Sequence, residues 1–313
     1  MRKPPNETRL PGERRTVPHF PSLRRNPPGL WVHGLVEDIS LGVMPLGTYS
    51  SSGRSYQATI EGTPEASSVA RVMLSSLTEG YRHQDKDLVA DVIRTVASAI
   101  LDAGRAYYEI AKGGDQDGGL SLYRFPPQRV ACVLGWCVQC VPRADAPVFG
   151  RRFVCIASNK IWRIGLPAKL GGHRRHRAML RSLERLELPV PRFFVDDMEA
   201  GRQTGRFDLL TFARLNDAAI SRATQRWGWN RRDFDDERAT EFFTFYRTVS
   251  FNWACAVLRE HILRELNSLL SRLFIAARVV VSGLPTPAGT ISVRGDLLAG
   301  RIQFGDAYQQ TAV

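Results

Sequence analysis

The stretch VADVIRTVASAILDAGRAYYEI (Val89–Ile110), followed by LSLYRF (Leu120–Phe125), Pro126-Pro127 and VACVLGWCVQCV (Val130–Val141), decides the fold. Val89, Val92, Ile93, Val96, Ala97, Ile100 and Leu101 recur at spacings of three and four. That spacing lays an apolar stripe along one face of a helix, and Gly104 stands where a left-handed stop belongs. The period then changes to that of strands. Tyr107, Tyr108 and Ile110 form an aromatic strand, the Gly/Asp-rich segment from Gly113 to Gly119 a turn, Leu120–Phe125 a second strand, and Val130–Val141 a third. The fold class that follows is α+β: a helix packed on a small antiparallel sheet.

Residues 1–29 form a basic arm rich in proline and arginine, with few large apolar residues, and read as extended or flexible. Leu30 to Ile60 mixes apolar runs with Gly, Ser and Pro and reads as strands or a packed loop, while Thr63-Pro64-Glu65 reads as a helix start leading toward Tyr81. Phe153–Ile156 and Lys160–Leu166 read as strands. Gly171–Leu188 is a basic helix closed by Pro189 and Pro191, and Arg206–Trp229 is helical.

Between Asp236 and Ala276 there is neither proline nor glycine, and twelve apolar positions from Phe242 to Leu273 keep helical spacing, with Asp235 or Asp236 as N-cap. An element of that length is rare in a compact monomer. Arg278–Val281 then reads as a strand, Gly283–Gly289 as a turn, and Thr290–Phe304 as a further strand with a short helix or turn. The working division is a 1–29 arm, a 30–235 α+β region, and 236–313 with the long helix and a C-terminal β segment.

The chain has 313 residues, 43% of them apolar, enough for a substantial core. A net charge of +12 and a pI near 10.0 imply an acidic partner, nucleic acid first. Because the charge is nearly all arginine, a GC-rich genome is an equal source of it. No apolar run of membrane-spanning length occurs and the basic N-terminus lacks a signal-peptide core, so synthesis inside the cell and no membrane partner are expected.

The candidate chemistry is thin. Lys169, Arg174, Arg175, Arg177, Arg181 and Arg185 concentrate positive charge on the basic helix. They suit contact with DNA phosphate or an acidic neighbouring subunit, against the alternative of a solvated face offset by Glu184 and Glu187. Cys137 and Cys140 form a CxxC, with Cys132 before them and His173 and His176 in an HxxH, so a zinc site can be drawn. In one continuous strand, however, Cys132 and Cys140 face away from Cys137, and buried reduced cysteines, Cys155 and Cys255 included, are the favoured reading. No metal or other cofactor is therefore expected.

Asp196-Asp197, Asp233 and Asp235-Asp236-Glu237 lack a companion lysine at nuclease spacing and read as helix caps. His261 has no nucleophile partner, and the aspartates between Gly113-Gly114 and Gly118-Gly119 make a hairpin rather than a phosphate loop. Catalytic residues are thus not expected. Trp227, Trp229 and Trp253 read either as subunit-interface anchors or as core.

The helix ending in Gly104-Arg-Ala-Tyr-Tyr-Glu-Ile110, the Gly-rich turn, Leu120–Phe125, Pro126-Pro127 and the strand from Val130 resemble the wing of tailed-bacteriophage portal proteins. Arg259 to Asn267 in the long helix and Asp296 to Phe304 are similar to that family's C-terminal part. The resemblance spans residues 85–141 and 236–308 and is one of pattern. It implies a wing-and-stem architecture and a homo-oligomeric ring, a dodecamer in that family, through which double-stranded DNA is packaged and ejected. It further implies a location at the portal vertex of the virion after synthesis in the bacterial cytoplasm. Capsid, terminase motor and head-tail adaptor proteins would be its partners, and it would hydrolyse no ATP. The alternatives are a monomeric or dimeric nucleic-acid-binding protein, another neck or capsid-associated component, and a metal-dependent enzyme.

Overall fold

The computed structural model describes residues 14–23, 29–46, 53, 55–78, 84–112, 119–187, 209–231 and 240–312. The fold is α+β, and the chain divides into two units. The first comprises residues 1–26, 57–165 and 262–282; the second comprises 27–56, 166–261 and 283–313.

In the first unit, α3 (Asp85–Ala103) follows α2 (Pro64–Ser75), which starts where Thr63 Oγ1 accepts a hydrogen bond from the Ala66 N–H. The α3 stripe is fully buried, from Leu88 through Leu101, and Gly104 ends the helix at φ 75°. A left-handed residue there satisfies the last carbonyls at little steric cost only when it is glycine. The next residue begins β2 (Arg105–Lys112), which pairs antiparallel with β3 (Leu120–Phe125) on one side and β7 (Ile161–Gly165) on the other. As the central strand it is covered on both faces, so Ala106 to Ala111 are all buried.

The run Val130–Val141 is not one strand. It folds back at Leu134 and Gly135, both at positive φ, to give β4 (Val130–Val133) and β5 (Trp136–Cys140), with β6 (Phe153–Ala157) beyond. That turn overturns the placement of Cys132, which strand alternation put on the face opposite Cys137. Cys132 and Cys137 stand directly opposite each other in the hairpin and form a disulfide, so they are neither reduced nor a zinc pair. Cys155 is exposed rather than apolar-packed, whereas Cys255 is buried as expected.

Residues 14–23 lie against this unit, held by side chains rather than by a ladder. Glu109 accepts the backbone N–H groups of Arg15 and Thr16 at 3.0 and 2.7 Å. Gln139 exchanges two 2.9 Å hydrogen bonds with the Val17 backbone, and Asp145 accepts from the Ser22 N–H and hydroxyl. Val17 and Phe20 then enter a core with Tyr107, Phe125, Val141, Val154, Ile156 and Ile161. A third sheet pairs β1 (Gln57–Gly62) with β8 (Ala277–Ser282).

Leu30–Ile60 contains a helix where strands or a loop were expected. In α1 (Leu30–Val43) the buried Val32, Leu35, Ile39 and Val43 follow helical spacing. Gly34 and Gly42 mimic a loop signal, but Gly42 is a close-approach position: a Cβ there would come within 2.8 Å of Cys255 Sγ. The remaining helices are α4 (Ala146–Phe149), α5 (Gly172–Glu187), α6 (Leu209–Ala223), α7 (Glu241–Arg272), α8 (Pro287–Leu298) and α9 (Phe304–Thr311).

The 32 residues of α7 span about 48 Å at 1.5 Å each, and their first and last turns carry Glu241 and Arg272, matched to the helix dipole. Residues 241–261 belong to the second unit and 262–272 to the first. The expected strand after residue 290 is α8: Thr286 Oγ1 accepts the Gly289 N–H at 3.1 Å, Pro287 takes the first position, and Thr290, Val293 and Leu297 form the buried face. Val293 and Leu297 pack with Val249 and Ala307, and Phe245 stacks on Phe304 at 5.1 Å.

Candidate nucleic-acid interface

Helix α5 is built by two consecutive positive-φ glycines and an amphipathic run. Gly171 (φ 97°) and Gly172 (φ 61°) redirect the chain after the single turn Ala168–Leu170. His176, Met179, Leu180 and Leu183 then turn inward, each no more than 8% exposed. On the opposite side Arg174, Arg177, Arg181 and Arg185 are exposed and recur at spacings of three and four. At 100° per residue these four fall within a narrow stripe opposite the buried face, and they cover about 16 Å of helix axis.

The sequence-derived group therefore separates into three placements. Arg174, Arg177, Arg181 and Arg185 share one face; Lys169 is exposed on the preceding turn; and Arg175 stands on the flank facing the end of α6. Among the described residues, none of the four stripe arginines forms an ion pair with a carboxylate. Glu184 lies exposed beside them, and the Glu187 side chain is outside the described residues. The stripe presents a row of forked guanidinium donors to solvent.

Of the three tryptophans read as interface anchors or as core, two are buried within the chain. Trp227 and Trp229 are 1% and 3% exposed, and the indole N–H of Trp229 donates to Asp38 at 2.8 Å. Gly228 between them, at φ 65°, lies against α7, where a Cβ would collide with the backbone of Arg247 and come within 2.7 Å of the Phe251 nitrogen. The Trp-Gly-Trp segment is thus core. Trp253 is half-buried under the Arg294 guanidinium, 5.4 Å from its ring.

Two buried arginines escaped sequence reasoning. Arg247 donates to Asn230 Oδ1, the Ser221 carbonyl, Thr224 Oγ1 and the Trp229 carbonyl, and burial lowers its pKa to about 10, which leaves it charged at neutral pH. Arg259, 1% exposed, donates to the carbonyls of Val43 and Pro285, and burial lowers its pKa too. Both bind loop and helix-end carbonyls together and are positioned for architecture. Nothing in their spacing distinguishes them from surface arginines. Arg222 and Arg226, at the end of α6, were also missed, because that segment was read only as a helix.

Asp196, Asp197, Asp233, Asp235, Asp236 and Glu237 lie outside the described residues, as do residues 113–118. Among the described residues no three His, Cys, Asp or Glu side chains form a group that would hold a metal ion. No helix of the described residues is long and apolar enough to cross a membrane.

No family model matches the chain, and no curated protein matches it. Among solved structures it is similar to a chain of one titled "Neck of empty GTA particle computed with C6 symmetry". The TM-score is 0.46 and the identity 12%, over 86% of this chain and 87% of that one. A likeness this distant bears on neither chemistry nor partners.

Proposed function

We propose that the protein is a ring-forming structural subunit of a tailed-phage-type portal or neck, in which the outer face of α5 meets DNA phosphate. It has no reaction of its own in this reading. The observation that carries it is the α5 stripe: four exposed arginines, unpaired with carboxylates among the described residues and opposite a buried face. Over the roughly 16 Å they cover, duplex DNA presents about ten phosphate charges, and arginines aimed at phosphate position a duplex without reading its sequence. A conduit for DNA needs that kind of contact.

Self-association has separate support. The β4–β5 hairpin tip exposes Val133, Leu134 and Trp136, the last two flanking Gly135, and an exposed apolar cluster of this kind suits a neighbouring subunit. The portal resemblance of the Gly104-to-Val141 segment supplies the class of assembly. A monomeric or dimeric nucleic-acid-binding protein would use the same stripe and differs in its mass.

The test of the interface is duplex binding measured across a range of salt. Arg177→Ala combined with Arg181→Ala is expected to lower the slope of log K against log salt by about 1.8, two phosphate contacts at about 0.9 each. An unchanged slope and affinity would remove α5 as the DNA-facing element.

A further inference from the structure

A cleft of about 220 Å³ opens on the flank of α5, away from the arginine stripe and wholly within the second unit. Its walls are Arg175, Met179 and Ser182 from α5 and Arg222, Arg226 and Trp227 from the end of α6 and the turn that follows. Three of these are exposed arginines, and no carboxylate lines the cleft. Among the described residues none of the three forms an ion pair.

The convergence is built into the backbone. Two of the stems meet over Gly171: a Cβ there would come within 3.1 Å of Arg175 Cβ and 3.3 Å of Arg226 Cδ. Arg222, in the last turn of α6, and Arg226, in the turn that follows, line the same cleft. Three like charges gathered around one concavity repel one another, and an anion that accepts from them removes that cost. Guanidinium forks match the paired oxygens of a phosphate, and the wall of Trp227 and Met179 excludes water from one side, which strengthens the contact.

We infer that this cleft is an oxyanion site that takes a single phosphate group, held by Arg175, Arg222 and Arg226. It is separate from the stripe, and its existence does not depend on ring formation or on DNA as the partner. The phosphate belongs either to a small free anion or to a nucleic-acid backbone; the chemistry is shared and the two sources separate in the test.

The experiment is calorimetric titration of the full chain with inorganic phosphate and with pyrophosphate. The expected result is saturable binding of one anion per chain. Arg175→Gln with Arg226→Gln should weaken it by roughly tenfold or more, while Arg181→Gln on the stripe leaves it unchanged. The Arg222→Gln variant, in which the Gly171 packing is untouched, guards against a folding defect and should also weaken binding. Phosphate that competes with a short duplex assigns the site to a backbone phosphate; phosphate that saturates without displacing the duplex assigns it to a free anion. Absence of saturable phosphate or pyrophosphate binding, or equal affinity in the cleft variants and the stripe variant, overturns the proposal. Loss of the salt-slope effect at Arg177 and Arg181 with phosphate binding intact would sink the DNA-interface reading alone.

Discussion

Glu109 is the residue on which the N-terminal segment depends most. It is 3% exposed on the central strand, and it is the acceptor for two successive backbone N–H groups that have no ladder partner. Glu109→Ala orphans both donors, at about 1–3 kcal/mol each, and an overall loss of about 2–4 kcal/mol is expected in chemical denaturation. Glu109→Gln, which keeps an acceptor oxygen, should lose clearly less; a negligible loss in Glu109→Ala would mean the contact is unimportant. The cysteines give a second prediction at this scale. Burial pushes the Cys255 thiol well above its ordinary pKa, so at neutral pH it is protonated and shielded, while Cys155 is exposed. A thiol reagent applied to the native protein should modify Cys155 and reach Cys255 only on unfolding, with Cys132 and Cys137 recovered as a linked pair. Early labelling of Cys255 would contradict this packing.

Among the elements, the packing of the Trp227–Trp229 turn against α7 has the least tolerance. Gly228→Ala places a Cβ into the backbone of Arg247 at a positive φ, and neither partner is a flexible side-chain end. An expected loss of about 2–4 kcal/mol, with exposure of the neighbouring tryptophans to fluorescence quenchers, checks it. Local sequence signals were legible where one period held without interruption. The α3 stripe, the Gly104 stop, β3 and the body of α7 all follow directly from spacing. They failed where a glycine served packing rather than a turn, as at Gly42 in α1, and where one apolar run hid a turn, as at Leu134-Gly135. In the second case alternation extrapolated through a reversal puts Cys132 on the wrong face. The start of α8 was misread because Thr286 and Pro287 resemble a turn as much as a helix start.

For the whole molecule, charge was legible and its arrangement only in part. A formal charge of +12 says that an acidic partner is favoured, and the arginine periodicity in α5 says which face presents it. The cleft of Arg175, Arg222 and Arg226 could not be read from sequence, because its members come from elements nearly fifty residues apart and meet through tertiary packing. Buried Arg247 and Arg259 show the converse: some of the positive charge serves architecture and is withheld from any partner. The proposed function requires this chain of 35.1 kDa to assemble as a ring. Mass photometry of the purified protein, followed by negative-stain class averages, tests it most directly. Hollow rings of about twelve copies, near 420 kDa from a 35.1 kDa chain, are expected. A discrete monomer or dimer whose mass does not change with concentration would contradict it and leave the α5 face as the surface of a small nucleic-acid-binding protein.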